Sequence, residues 1–340
     1  MTLKYYMIKL LKPLSRTRSI QLIYYYRKLI LRKIQEKPRK FGNENPDYMY
    51  YIIHRNEKYV GLFSNVLVFI EQIDYAIKKG YIPVIDMKNY NNSYLYKDEI
   101  GVINAWEYYF EQPFSFMDAN RYSLETAYNS QNVILNNGEV LDTMHFMDPL
   151  FLQEGLNLRY WQNIYKKYIR INKKSQEYID IQYNKLIHDE DRVLGVFCRG
   201  TDYRSLRPYG HPIQPDVNDV LSKTATALKE WKCNKLFIST EDYDIYKIFK
   251  NHFGEIVIAN EREYVENIGN SLVTQITHHR NDDKYLQGLE YLTSLVILSK
   301  CNCIIASSTS GVAGTVLMSE GFEQTYFYNL GYYGIDDVTK

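Results

Sequence analysis

Cysteine is scarce in this chain. The four present, Cys198, Cys233, Cys301 and Cys303, have no zinc-ligand spacing, which argues for a reducing cytosol rather than a disulfide-built scaffold. Cys301 and Cys303, at the head of an apolar run, read as small buried hydrophobes. No uninterrupted apolar run approaches 18 residues, so no transmembrane helix is expected. The first residues have neither the apolar stretch nor the small-residue cleavage site of a secretory signal, and a cytoplasmic protein is the expectation. Neither G-x-G-x-x-G nor G-x-x-x-x-G-K-[ST] occurs, so dinucleotide and P-loop binding are not indicated. Fixed-period repeats and low-complexity tracts are also missing.

Tyrosine, by contrast, is plentiful at 34 residues. With phenylalanine it suits aromatic-lined grooves for sugars or bases; an AT-rich coding bias gives the same count without a groove. Charge is plentiful too, but unevenly spread. Residues 1–40 hold 12 Lys/Arg against Glu36 alone, a local +11, so the other 300 carry −10 of the net +1. A body of that sign argues against a nucleic-acid partner. The arm mixes its cations with Leu, Ile and Tyr, as a peripheral helix on an anionic membrane does. A basic helix packed on the acidic body fits the same residues.

Three regions follow: a basic arm over 1–45, an α/β domain over 46–190 and a second α/β domain over 191–340. In the first domain, "LFSNVLVFIEQIDYAIKKG" has apolar residues at helical spacing and a stop at Gly80, before a short buried strand, "YIPVID". Gly61, Ser64 and Asn65 put a polar turn at the head of that helix. Residues 90–132 are aromatic and irregular, and the stretch ending at Arg192 is charged and helical. The second domain is regular. Strands predicted at "RVLGVFC", "KLFIST", "EIVIAN", "NCIIASS" and "TYFYNL" alternate with helices over 216–231, 242–252, 284–300 and 311–320. Continuous apolar strands between helices form a parallel sheet covered on both faces.

Ligands of such sheets bind beyond the carboxyl ends of the strands. The first strand ends in Arg199, Gly200, Thr201 and Asp202, and the second in Thr240, Glu241 and Asp242. The fourth runs into Ser308, Thr309, Ser310 and Gly311 ahead of the last helix. A guanidinium and a helix start suit a diphosphate, and carboxylates or hydroxyls suit a ribose or base. Each piece also has a structural reading: Arg199 closing a loop on Asp202, Ser310 as an N-cap, Glu241 and Asp242 as first-turn caps. The loop over 202–215 is long for a strand-to-helix turn and adds Arg204, Arg207 and His211. "THHRNDD" from Thr277 reads as a mobile polar loop, and no metal site is assigned.

These motifs resemble the fucosyltransferase superfamily that groups α-1,2-, α-1,6- and protein O-fucosyltransferases. Phe197 to Asp202 is similar to its H-x-R-x-x-D motif, Thr240-Glu241-Asp242 to its T-D-D stretch, and "LTSLVILSKCNCIIASSTSGVAG", with Glu290 on the preceding helix, to its third motif. The resemblance implies a GT-B fold, two Rossmann-like domains with a cleft between them. It also implies an inverting mechanism, GDP-fucose as donor and no obligatory metal. By it, Arg199 would hold the β-phosphate, Thr309 and Ser310 the diphosphate, and Asp242 or its neighbours the nucleoside. Two positions depart: Phe197 replaces the motif's histidine, and Gly200 its frequent second arginine.

Inverting transfer needs a stabilised leaving group, a base and in-line geometry. Arg199 supplies fixed charge, and His211 is the candidate base because its ordinary pKa lies nearest the working pH. A hydrogen-bonded loop histidine beside Pro212 is the structural alternative. The expectation is a glycosyltransferase of bacterial-type surface polysaccharide synthesis, with a glycan or lipid-linked acceptor and its arm on the inner membrane. The alternatives are the same fold using another nucleotide sugar, and a non-catalytic nucleotide or glycan binder.

Overall fold

The computed structural model describes residues 34–138, 156–266, 271–334 and 336, together with Tyr26 and Ile30. Most of the basic arm therefore lies outside the described residues. Two sheets organise the rest. The first contains β1 (Pro38–Arg39), β2 (Tyr50–Ile53), β3 (Ile82–Ile85) and β4 (Val133–Leu135), in the order β1-β4-β2-β3. β2 runs parallel to both β3 and β4, and only β1 is antiparallel. Residues 38–39, counted with the arm on sequence, thus belong to the first sheet. All four residues of β2 are buried, as a central strand covered on both faces requires. Pro83, which has no N–H to donate, sits on the edge strand β3.

Helix α1 (Leu62–Lys78) crosses from β2 to β3. It ends where the sequence pattern places the stop. Gly80 adopts φ +72°, its N–H reaches the Ile77 carbonyl at 2.9 Å and that of Tyr81 the Ala76 carbonyl at 2.8 Å. This glycine-closed end satisfies carbonyls that the helix itself leaves open. The irregular region beyond contains the short α2 (Leu124–Tyr128); α3 (Leu156–Tyr168) and α4 (Lys173–Leu186) then lead into the second sheet.

That sheet consists of β5 (Val193–Phe197), β6 (Lys235–Ser239), β7 (Val257–Ile258), β8 (Cys303–Ser307) and β9 (Gln324–Tyr328). Its order is β7-β6-β5-β8-β9, and every pair is parallel. The order reverses between β5 and β8, which makes the carboxyl ends of those two strands the topological switch point. Its helices are α5 (Thr201–Leu206), α6 (Val217–Glu230), α7 (Tyr243–Phe253), α8 (Asp283–Ser299) and α9 (Ser310–Met318). Helix α5 takes up residues 202–206 of the segment read from sequence as a long polar loop. The rest of that segment is laced to residues 331–333: Gly210 N–H donates to Tyr333 O and Ile213 N–H to Gly331 O, both at 2.9 Å.

One apolar core joins the two sheets. Phe63, Phe69 and Trp106 from the first half pack in the same cluster as Leu292, Leu295 and Val312 from the second. Helices α1 and α9 touch where Gly314 faces Phe63; a Cβ at Gly314 would overlap the ring. Fully burying a side chain of this size contributes about 1.5–3 kcal/mol, so the walls of the cleft are held by packing. Among the described residues, no helix is long and apolar enough to cross a membrane.

Candidate functional site

A cavity of about 480 Å³ opens between the sheets, at the carboxyl ends of their strands. Arg55, two residues beyond β2, and Ser64 at the head of α1 line one wall. Arg199 beyond β5, Glu241 beyond β6, Arg262 beyond β7 and Ser310 at the start of α9 line the other.

Arg199 Nε lies 3.2 Å from Glu241 Oε1, both side chains being largely buried. The same carboxylate oxygen accepts the Thr201 hydroxyl at 2.7 Å and the Gly200 N–H at 3.3 Å. The Arg199 guanidinium stands 4.8 Å from the centroid of the Tyr203 ring, and Tyr203 Oη lies 3.2 Å from His211 Nδ1. One chain of contacts thus runs from Glu241 through Arg199 and Tyr203 to His211. Glu241, a candidate for the nucleoside on resemblance, lines the cavity and pairs with the arginine.

Asp242 takes the structural reading. Its Oδ1 caps α7 by accepting the N–H groups of Asp244 at 2.9 Å and Ile245 at 3.1 Å, and Oδ2 accepts that of Thr201 at 3.3 Å. This explains Gly200: a Cβ there would overlap the Asp242 carboxylate, leaving no room for a second arginine. Thr240 is buried and accepts the Asp242 N–H at 3.2 Å. Neither Thr240 nor Asp242 lines the cavity. The Asp202 side chain lies outside the described residues, so the pairing with Arg199 considered on sequence stays outside them too.

At the switch point, Thr309 rather than Ser310 is the N-cap of α9, accepting the Val312 N–H at 3.2 Å. Ser310 is the first helical residue and faces the cavity. Ser308 is buried, and its Oγ has no hydrogen-bond partner among the described residues. Gly311 makes room for Tyr291, whose Oη would collide with a Cβ at that position. Burial pushes the Tyr291 phenol up to about 12, while Arg199 and Arg262 pull it the other way.

Of Arg204, Arg207 and His211 in the long loop, only His211 lines the cavity. Arg204 Nη2 pairs with Asp216 at 3.2 Å, and Arg207 ends α5 in the left-handed region at φ +44°. The histidine-rich loop is tied to α8 through Arg280. Arg280 clasps Glu290 through both terminal nitrogens and Asp283 through Nε at 2.8 Å. Among the described residues, no group of His, Cys, Asp and Glu gathers as metal ligands.

Arg55, Tyr203, Arg262 and Tyr291 escaped the sequence reading. Two of them carried the signal that found Arg199: "YYIIHR" and "EIVIANER" are apolar strands that run into an arginine. Arg55 is 8% exposed, and Nη1 donates to Ser64 O at 3.0 Å, Ser64 Oγ at 3.2 Å and Asn65 Oδ1 at 3.3 Å. Its remaining terminal nitrogen pairs with Glu57. Burial lowers the Arg55 pKa from its ordinary value, opposed by that carboxylate.

Two parallel-dominated α/β sheets facing across a cleft at their strand ends define the GT-B arrangement. No family model and no curated protein matches the sequence. Among solved structures, the chain is similar to fucosyltransferase NodZ from Bradyrhizobium, at 14% identity and a TM-score of 0.49 over 85% of this chain and 97% of that one. A NodZ α-1,6-fucosyltransferase soaked with GDP-fucose matches at 15% identity and a TM-score of 0.46, over 80% and 93% of the two chains. POFUT1 in complex with GDP-fucose matches at 10% identity and a TM-score of 0.44, over 84% and 99%. The fold and the chemistry of the site rest on this chain's own residues.

Proposed function

We propose that the protein is an inverting glycosyltransferase that uses a nucleotide diphosphate sugar. The observation that carries this reading is the convergence of Arg199 and the start of α9 on one cavity at the switch point of a parallel sheet. Fixed cations and free helix N–H groups stabilise a leaving diphosphate as its charge develops. The acceptor hydroxyl then enters along the Arg55 and Ser64 wall, opposite the donor. His211 is the base. In the tautomer that donates Nδ1–H to Tyr203, Nε2 is the nitrogen that takes the acceptor proton.

Fucose from GDP-fucose is the donor that the strand-end motifs favour, and a glycan or lipid-linked oligosaccharide is the acceptor class. A second donor is favoured by one observation. Phe197, where the motif carries histidine, is buried in the apolar core and brings no polar group to the cavity. Whatever polar contact a histidine makes there is absent here, which leaves room for another nucleotide. The test is a transfer assay with GDP-fucose and other nucleotide sugars on a panel of glycan acceptors. The product's anomeric configuration is read by NMR. Transfer with inversion supports the reading, and retention of configuration contradicts it. Binding of a nucleotide sugar without transfer to any acceptor points instead to a non-catalytic binder.

A further inference from the structure

Arginines line this cavity in two different states. Arg55 is matched by Glu57 and Arg199 by Glu241. Arg262 has no carboxylate partner and no hydrogen bond among the described residues; its Nε is buried and unpartnered, and its only contact of note is the Tyr264 ring, 5.9 Å away. A half-buried guanidinium has given up part of its hydration, and without a counter-charge that loss goes uncompensated. The turn that carries it is fixed from behind. The N–H of the buried Val265 donates to the Glu241 carbonyl at 2.8 Å, and the Val265 carbonyl accepts the Tyr243 N–H at 3.4 Å. Arg262 is therefore tied through the backbone to the same residue that pairs with Arg199.

Resting on the nucleotide-sugar reading above, we propose that Arg262 is the second cation for the donor diphosphate. Three observations converge. Position 200 is a glycine whose Cβ would overlap the Asp242 side chain, so the end of β5 brings Arg199 alone to the cavity. Arg199 already shares its charge with Glu241, so an incoming dianion is met better by a second cation beside it. Arg199, Arg262, Tyr291 and Ser310 at the start of α9 line the same cavity, and Tyr291 Oη abuts Gly311. A diphosphate has two adjacent anionic groups, which suits two forked donors better than one. A single carboxylate or a nucleoside would not use both.

The test is isothermal titration of the full chain with inorganic pyrophosphate, GDP and UDP, for wild type, Arg262→Gln and Arg262→Lys. The expected result is binding of pyrophosphate and at least one nucleoside diphosphate that is about tenfold or more weaker in Arg262→Gln, with partial recovery in Arg262→Lys. The affinity of Arg262→Gln should also fall less steeply with salt than that of wild type, since one charge is gone. A melting curve beside each titration separates lost binding from lost folding. If the glutamine variant does not fold, the lysine variant carries the comparison, because it keeps the charge and loses the fork. Arg262→Gln and Arg262→Lys both binding within about twofold of wild type would overturn the inference and leave the nucleotide-sugar reading standing. Wild type binding neither pyrophosphate nor any nucleoside diphosphate would overturn both.

Discussion

Arg199 lines the cavity with Nε 3.2 Å from Glu241 and its guanidinium 4.8 Å from the centroid of the Tyr203 ring. A lysine there keeps the charge but has neither the planar fork nor the stacking surface. Arg199→Lys is therefore expected to reduce kcat/KM by about tenfold to a hundredfold, as loss of a charge-assisted hydrogen bond does, while the melting temperature stays near wild type. Steady-state kinetics beside a melting curve checks this; near-native turnover removes Arg199 from the site. His211 makes a second expectation. His211→Ala should lower kcat by at least about tenfold with little change in donor KM. Tyr203→Phe, which keeps the ring but drops the hydroxyl on Nδ1, should fall between wild type and His211→Ala. A rise in donor KM alone would make the loop a cover over the donor and put the base elsewhere.

Individual elements differ in how openly the sequence announces them. The second sheet is legible because its strands are continuous apolar runs between amphipathic helices, and the strand-end rule then leads to Arg199, Glu241 and Ser310. The same rule points to Arg55 and Arg262, yet β2 and β7 are only four and two residues long and leave a weak pattern. Tyr203 is hidden for another reason: α5 is a six-residue helix whose Thr201 adopts φ +27°, and local preference does not signal such a turn. The roles of Asp242 and Thr309 are ambiguous on sequence, since a helix cap and a ligand contact use the same residue types.

The carboxyl end of β2 carries an expectation of its own. His54 is buried, stacked on Tyr90 at 3.8 Å between centroids, with Nε2 at 3.0 Å from Asn136 O. Burial lowers its pKa below the ordinary histidine value, only partly opposed by that hydrogen bond and by Asp86. With a folded pKa below the unfolded one, stability is fully present above about pH 6.5 and is lost as pH falls toward the folded value. The melting temperature should therefore drop between about pH 8 and about pH 5, and the drop should shrink in His54→Gln. An unchanged pH slope in that variant would remove His54 as its source.

At the scale of the whole molecule, charge is divided between an arm of +11 over residues 1–40 and a body of −10. Because residues 38–39 pair with β4, the arm proper ends before them. Deleting residues 1–33 is expected to leave a folded body that binds vesicles containing anionic lipid less tightly, with the difference fading as salt rises. Equal sedimentation of both forms with such vesicles would remove the membrane role, and aggregation of the truncated chain would assign the arm to the core. The two-sheet architecture is legible at this scale from alternating strands and helices. The shared core between the halves is not, because a contact such as Phe63 on Gly314 joins residues from opposite ends of the chain and leaves no local trace.

The central claim, that the cleft is a nucleotide-sugar site, is tested most directly by melting the full chain with nucleoside diphosphates. At a concentration about 100 times the dissociation constant, a ligand bound only to the folded state adds about 2.7 kcal/mol of stability, well above the resolution of a melting curve. One nucleoside diphosphate is expected to raise the melting temperature, its nucleoside alone to do so less, and Arg199→Lys to lose most of the difference. Melting curves that do not move with any nucleoside diphosphate would contradict the claim.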